Sequence, residues 1–276
     1  LLFNGNGVVS VQSNSSNFYL GGGSYSPSEL HLESGSFTAF KVNGSERFRI
    51  SSDGSLSTPT AGTSNVRFGV NAGNSITSGG NYNTVVGDEA GTALTTGDQN
   101  TALGFNALQT EDTGSRSTAI GAYTLVNQNN DALNYNTAVG YSALNANSTG
   151  TLNTAVGALC LDANTTASDN TAIGYAALTN SETADGNTAM GKHAMVTNTT
   201  GAANTAIGRH ALAANLSASN NTAVGYNSLI SNTTGANNVA IGKDALDSNT
   251  TASNNVAIGF DALQTNPVGA ESVAIG

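Results

Sequence analysis

The sequence predicts an all-β repeat solenoid, a parallel β-roll or β-helix of 17-residue rungs, and three observations predict it. Thirteen glycines recur at near-constant spacing: Gly69, Gly87, Gly104, Gly121, Gly140, Gly157, Gly174, Gly191, Gly208, Gly225, Gly242, Gly259 and Gly276. The last nine stand 17 residues apart without exception, and the earlier gaps are 18, 17, 17 and 19. Each closes a phrase of the type Asn-Thr-Ala-Val-Gly, and a fixed short period means one small unit stacked on copies of itself. The phrase also carries periodic Ile and Val in a chain only 9% charged, which sets it apart from a disordered polar tract.

Residues 1–64 differ from the rest and read as an N-terminal β-rich connector domain. They hold five of the eight Phe, with short alternating runs bounded by Gly and Ser. Strands are predicted at Gly7–Val11, Phe37–Val42 and Arg47–Ile50, with Asn43-Gly44 and Asp53-Gly54 as turns. The stretch from Ser57 to Gly62 marks the boundary, because Pro59 cannot serve a central ladder.

From Asn65 to Gly276 the repeat takes over. In each phrase two alternate positions are branched, as in Thr137 and Val139 or Val273 and Ile275, and the residue between them is nearly always Ala. Alternation puts the branched pair on one face of a strand and Ala on the other. Ala suits the narrow interior of a short coil. The other face is apolar with no helix or second sheet to cover it, so the same strand of a symmetry mate is the expected cover. The interface residues are then Val86, Leu103, Ile120, Val139, Val156, Ile173, Met190, Ile207, Val224, Ile241, Ile258 and Ile275. After each glycine comes a segment ending in Ala-Leu, whose Leu is expected to fill the interior; periodicity leaves open a second strand or a helical turn. An Asn recurs before the phrase, as at Asn136, Asn153 and Asn170, placed to satisfy neighbouring amides rung after rung. The repeated glycine implies a corner that needs positive φ or close backbone approach. At about 4.8 Å per rung, the stack is a rod of roughly 55–60 Å.

Composition excludes several classes of function. Net charge is -10, with no basic stripe for a nucleic-acid backbone. No stretch approaches the roughly 18 apolar residues of a membrane span, so no membrane insertion is expected. Cys160 is the lone cysteine and sits in the slot of Ala143, Ala177 and Ala194, so it reads as a small buried residue. Sequons such as Asn164-Thr165-Thr166 follow from Thr-rich loops. Paired carboxylates, nucleophile elbows, phosphate loops and Cys/His clusters are not found, and neither catalysis nor a cofactor is expected. The chain begins on Leu1-Leu2-Phe3 and ends on a repeat glycine, which reads as a piece of a longer protein.

Ser272-Val273-Ala274-Ile275-Gly276 is letter for letter the repeat phrase of trimeric autotransporter adhesin heads, and 238–242 and 255–259 differ from it by one residue. The resemblance implies three chains, each a left-handed parallel β-roll, with inner strands meeting at the trimer axis. That family's period is shorter than 17, and the longer form Asn-Thr-Ala-Val-Gly-Tyr-x-Ala-Leu looks more like the repeats of bacteriophage tail fibres. The segment from Phe40 to Gly54 is also similar to one common in such fibres. The resemblance therefore implies a virion tail-fibre segment, extracellular, that acts as a rigid spacer in host attachment. Its implied partners are two sister chains, other tail or fibre proteins, and a host cell-surface receptor, glycan or protein. The alternative is a bacterial cell-surface adhesin head binding cell or matrix surfaces. A third class is an ice-binding solenoid, since Thr84 to Thr222 form a ladder; that ladder turns into Val239, Val256 and Val273, as a buried interface would.

Two slots after the glycine vary most and are where a rigid scaffold would carry contacts. Phe105, Tyr123, Tyr141, Tyr175, His193, His210, Tyr226 and Phe260 are the candidate surface contacts, suited to sugar or protein. A plain solvent-exposed column is the competing reading. His193 and His210 occupy equivalent positions one rung apart, which would suit a metal. Their slot also holds Asn106, Ser142, Ala176 and Asp244, a tolerance that reads as solvent-facing, so no metal is expected. Asp and Glu lie at irregular offsets, unlike calcium-binding β-rolls.

Overall fold

The computed structural model describes residues 37–42, 45–51, 56–57, 61–265 and 268–276. Near the N-terminus, β1 (Phe37–Val42) pairs antiparallel with β2 (Ser45–Ser51), and β2 pairs antiparallel with β3 (Leu56–Ser57). Both strands expected there, at 37–42 and 47–50, are present. The register slips at Phe40/Lys41, and the Phe40 and Phe48 rings meet at 5.7 Å. The expected strand at Gly7–Val11 and the turns at Asn43-Gly44 and Asp53-Gly54 lie outside the described residues, as do residues 58–60 of the expected boundary.

The repeat forms one 13-stranded parallel sheet, from β4 (Val66–Phe68) to β16 (Val273–Ile275), in strict sequence order. Each strand is three residues long and ends immediately before a repeat glycine, so the chain is a solenoid of about twelve turns. Identical slots pair without slippage, Thr171 to Thr188, Ala172 to Ala189 and Ile173 to Met190. The described residues contain no helix, and so none able to cross a membrane.

The alternation falls as the side-chain pattern requires. The middle residues, Ala102 through Ala257, are fully buried, as is the slot four after the glycine from Leu108 to Leu246, Leu144, Leu178 and Met195 among them. Each Leu so buried contributes roughly 1.5–3 kcal/mol. Cys160 is buried in its alanine slot, its thiol directed at the Gly174 carbonyl, and burial pushes that thiol up.

The segment after the glycine is neither strand nor helix. It is a chain of turns whose amides reach both neighbouring rungs: Ser142 N–H donates back to the Ala122 carbonyl, and Leu144 N–H donates forward to Cys160. To aim the amides in opposite directions the backbone enters the left-handed region at both residues, φ 53° at Ser142 and 51° at Leu144. Non-glycine residues in that region cost about 1–2 kcal/mol each. The cost is offset by the rung-to-rung bonds and by driving Leu into the core. The repeat glycines sit at φ 126–139°, and at Gly140 a Cβ would lie 2.6 Å from the Gly157 carbonyl carbon. Positive φ and close approach therefore act together at the corner.

Two buried asparagine columns complete the rung. In the expected one, before the strand, Asn221 N–H donates to Asn204 Oδ1 at 2.9 Å, and Asn238 N–H donates to Asn221 Oδ1 at the same distance. A second column, seven residues after the glycine, runs through Asn147, Asn164, Asn198, Asn215, Asn232 and Asn249, all fully buried. The two share an acceptor: the Ala218 carbonyl takes Asn204 Nδ2 at 2.8 Å and Asn215 Nδ2 at 3.0 Å. Both lone pairs of a buried carbonyl are thereby used.

Candidate functional site

Two surfaces flank the glycine corner. The first is the outward face of the sheet. Because register is exact in slot identity from rung to rung, Val86, Leu103, Ile120, Val139, Val156, Ile173, Met190, Ile207, Val224, Ile241, Ile258 and Ile275 form one continuous column. From Leu103 to Ile258 they alternate with buried Ala, and they are themselves half-buried to exposed, Ile207 at 38% against Ala206 at 0%. The companion Thr column, Thr101 to Thr222, is half-buried beside it. No described part of the chain covers this face. An apolar stripe of this length on a lone chain is the kind of surface that marks an interaction site.

The second surface is a ridge made by the two slots after the glycine. Rings from both slots meet across rungs: Phe105 with Tyr123 at 5.3 Å, and Tyr123 with Tyr141 at 5.8 Å, edge to face. Ala158 and Leu159 interrupt the ridge. It resumes with Tyr175 against His193 at 5.6 Å, and His193 stacks on His210 at 5.4 Å with 6° between planes. Cations lie over the rings, Lys192 on Tyr175, Arg209 on Tyr226 and Lys243 on Phe260. Tyr141, Tyr175, Tyr226 and Phe260 are exposed, whereas Tyr123, His193 and His210 are half-buried. The histidine slot is thus not simply solvent-facing. It is also a left-handed position, φ 59° at His193 and 60° at His210. Asn106, Asn227, Asp244 and Asp261 recur there because Asn and Asp tolerate that region best.

Electrostatics along the ridge are uneven. The His210 pKa lies below the ordinary histidine value, through burial first and then the charges of Arg209, His193 and Lys192. Lys243 bonds Asp244 at 2.7 Å, which raises the lysine and lowers the aspartate. His193 Nδ1 and His210 Nε2 are 3.4 Å apart. Among the described residues no three His, Cys, Asp or Glu side chains converge as a metal site would need.

Sequence reasoning missed a buried polar cluster where the rung from Gly104 meets the 19-residue rung from Gly121. Glu111 is fully buried in the second asparagine column. Its carboxylate accepts from Gly114 N–H at 2.7 Å, Gln128 Nε2 at 2.9 Å and Asn134 Nδ2 at 3.0 Å. Burial pushes its pKa up, against those donors. The irregular spacing from Gly121 to Gly140 was the available signal, but not which side chain it would enclose. Searched against protein-family models, curated proteins and solved structures, the chain gives no match.

Proposed function

We propose that this chain is a segment of a homotrimeric virion fibre, of the phage tail-fibre kind, serving as a rigid spacer that contributes to host-receptor attachment. The observation that carries the reading is the unbroken outward column from Val86 to Ile275, apolar, in register and uncovered by the described residues of its own chain. Three copies sharing an axis would bury it from all sides and leave the glycine-corner ridge beside it. Stacked backbone bonds then supply stiffness, and three identical chains supply avidity for a weak receptor contact. A bacterial surface adhesin head would use the same build.

The half-buried Thr column favours one other reading, an ice-binding face, which needs the same strip open to water. Light scattering with a solution envelope tests both. A rod of three times 27.6 kDa supports the fibre. A monomer overturns it, and a monomer with thermal hysteresis transfers the face to ice.

A further inference from the structure

C-terminal to Arg116, every Lys, Arg and His falls in the two slots of the ridge: Lys192, His193, Arg209, His210 and Lys243. In a chain of net charge -10 this is a concentration of positive charge in one place. The aromatics follow it. Tyr175, Tyr226 and Phe260 stand on the same ridge, Phe260 at 64% exposure, and each has a cation 4.8–5.8 Å from its ring centre. Along the first slot the order is Tyr175, Lys192, Arg209, Tyr226, Lys243, Phe260, so two rings bracket two adjacent cations over about 14 Å.

The acids on this stretch sit at one end. Asp244 holds Lys243 and accepts from Asn227 Nδ2 at 3.0 Å, and Asp261 follows it. That leaves Lys192 and Arg209, both exposed, as the charges facing outward with no carboxylate among the described residues bonded to them. The His210 pKa is lowered by burial first, and the charges of Arg209, His193 and Lys192 add to that. The N-terminal stretch of the ridge, Phe105 to Tyr141, has rings and no cations in these slots.

We propose that the ridge from Tyr175 to Phe260 binds a linear acidic polysaccharide, with sugar faces lying on Tyr175 and Tyr226 and carboxylate or sulfate groups paired to Lys192 and Arg209. This deepens the attachment reading and rests on it for its biological setting. Exposed rings take the apolar face of a sugar, and cations already poised on those rings take its anion. A regular one-dimensional ladder suits a regular polymer. A nucleic acid fits poorly, because so few cations on a negative chain cannot neutralise a phosphate backbone.

Calorimetry of the full chain with polygalacturonate, dextran sulfate, neutral dextran and poly-glutamate tests this. At least one acidic polysaccharide is expected to bind, its affinity falling as salt rises, and neutral dextran is not. The Lys192→Ser/Arg209→Ser variant is expected to lose about tenfold in affinity, and Tyr175→Ser/Tyr226→Ser, which keeps the charge, about tenfold as well. Both variants change exposed residues, and unchanged melting confirms their fold. Preference between the two acidic polymers identifies the anionic group. The proposal is overturned if neither acidic polymer binds, if either variant binds unchanged, or if poly-glutamate binds as tightly as the polysaccharides. Sizing the same sample separates the two readings. A trimer that ignores both polymers sinks this site alone, and a monomer that binds them sinks the fibre alone.

Discussion

Ser181 stands in the second asparagine column between Asn164 and Asn198, and it is too short to span a rung. Asn164 Oδ1 and Ser181 Oγ are both buried without a hydrogen-bond partner among the described residues, whereas Asn164 Nδ2 reaches Asn147 Oδ1 at 2.7 Å one rung earlier. Ser181→Asn is expected to restore the ladder and stabilise the chain by about 1–2 kcal/mol, read by urea unfolding; a neutral or destabilising result contradicts this account of the column. Gly140 is the reverse case. A side chain there meets both a left-handed φ of 130° and the Gly157 backbone, so Gly140→Ala should cost at least about 2–3 kcal/mol in the same assay. Glu111 gives a pH dependence. Its folded pKa is raised by burial while the unfolded carboxyl keeps its ordinary value, so the native state binds the proton first as pH falls. Wild type should therefore gain stability relative to Glu111→Gln as pH falls from above the raised value to about 4.5, and no further below it, by about 1.4 kcal/mol per tenfold difference in proton affinity. Melting temperatures of both proteins across that range check the sign.

Rungs differ in how they fill the same interior volume. Most place Leu four residues after the glycine and Asn seven after it, but the early rungs reverse this, with Gly73 and Ile76, then Gly91 and Leu94. A Cβ on Gly91 would lie 2.8 Å from Leu94 Cδ1 and 3.2 Å from Val85 Cγ1, so the two arrangements exclude each other. Gly91→Leu and Leu94→Asn should each destabilise alone and cost less together than their sum, with a coupling of at least about 1 kcal/mol in a double-mutant cycle. Additive effects would show that the slots do not share space. The strand, its buried Ala, the interior Leu, the glycine corner and the first asparagine column were legible, because each follows from periodicity and alternation within one phrase. The second column, the left-handed residues and the Gly91–Leu94 exchange were not. They depend on which loop positions stack and on a carbonyl shared between residues 14 and 3 positions away. The Asn and Asp recurring two residues after the glycine were the readable trace of the left-handed slot.

At the scale of the molecule, the outward face was legible as apolar, while what covers it was not, since a single chain holds the need for a partner but not the partner. In the proposed trimer, Ile173→Asp with Ile207→Asp would place charges at the axis and weaken association by about a hundredfold or more, measured by sedimentation. The ridge was legible as residues and not as a ridge: the cation–ring pairs follow only from rung stacking. Native side chains give the most direct test of coverage. The two methionines lie one on each side of the sheet, Met190 in the outward column at 38% exposure and Met195 in the core at 0%. Mild peroxide oxidises exposed methionine first, so the rates at the two sites, followed by mass spectrometry, report which faces are sealed. If sister chains cover the column, both should react slowly and alike until the protein unfolds; Met190 reacting freely while Met195 stays protected would show a bare face and contradict the assembly.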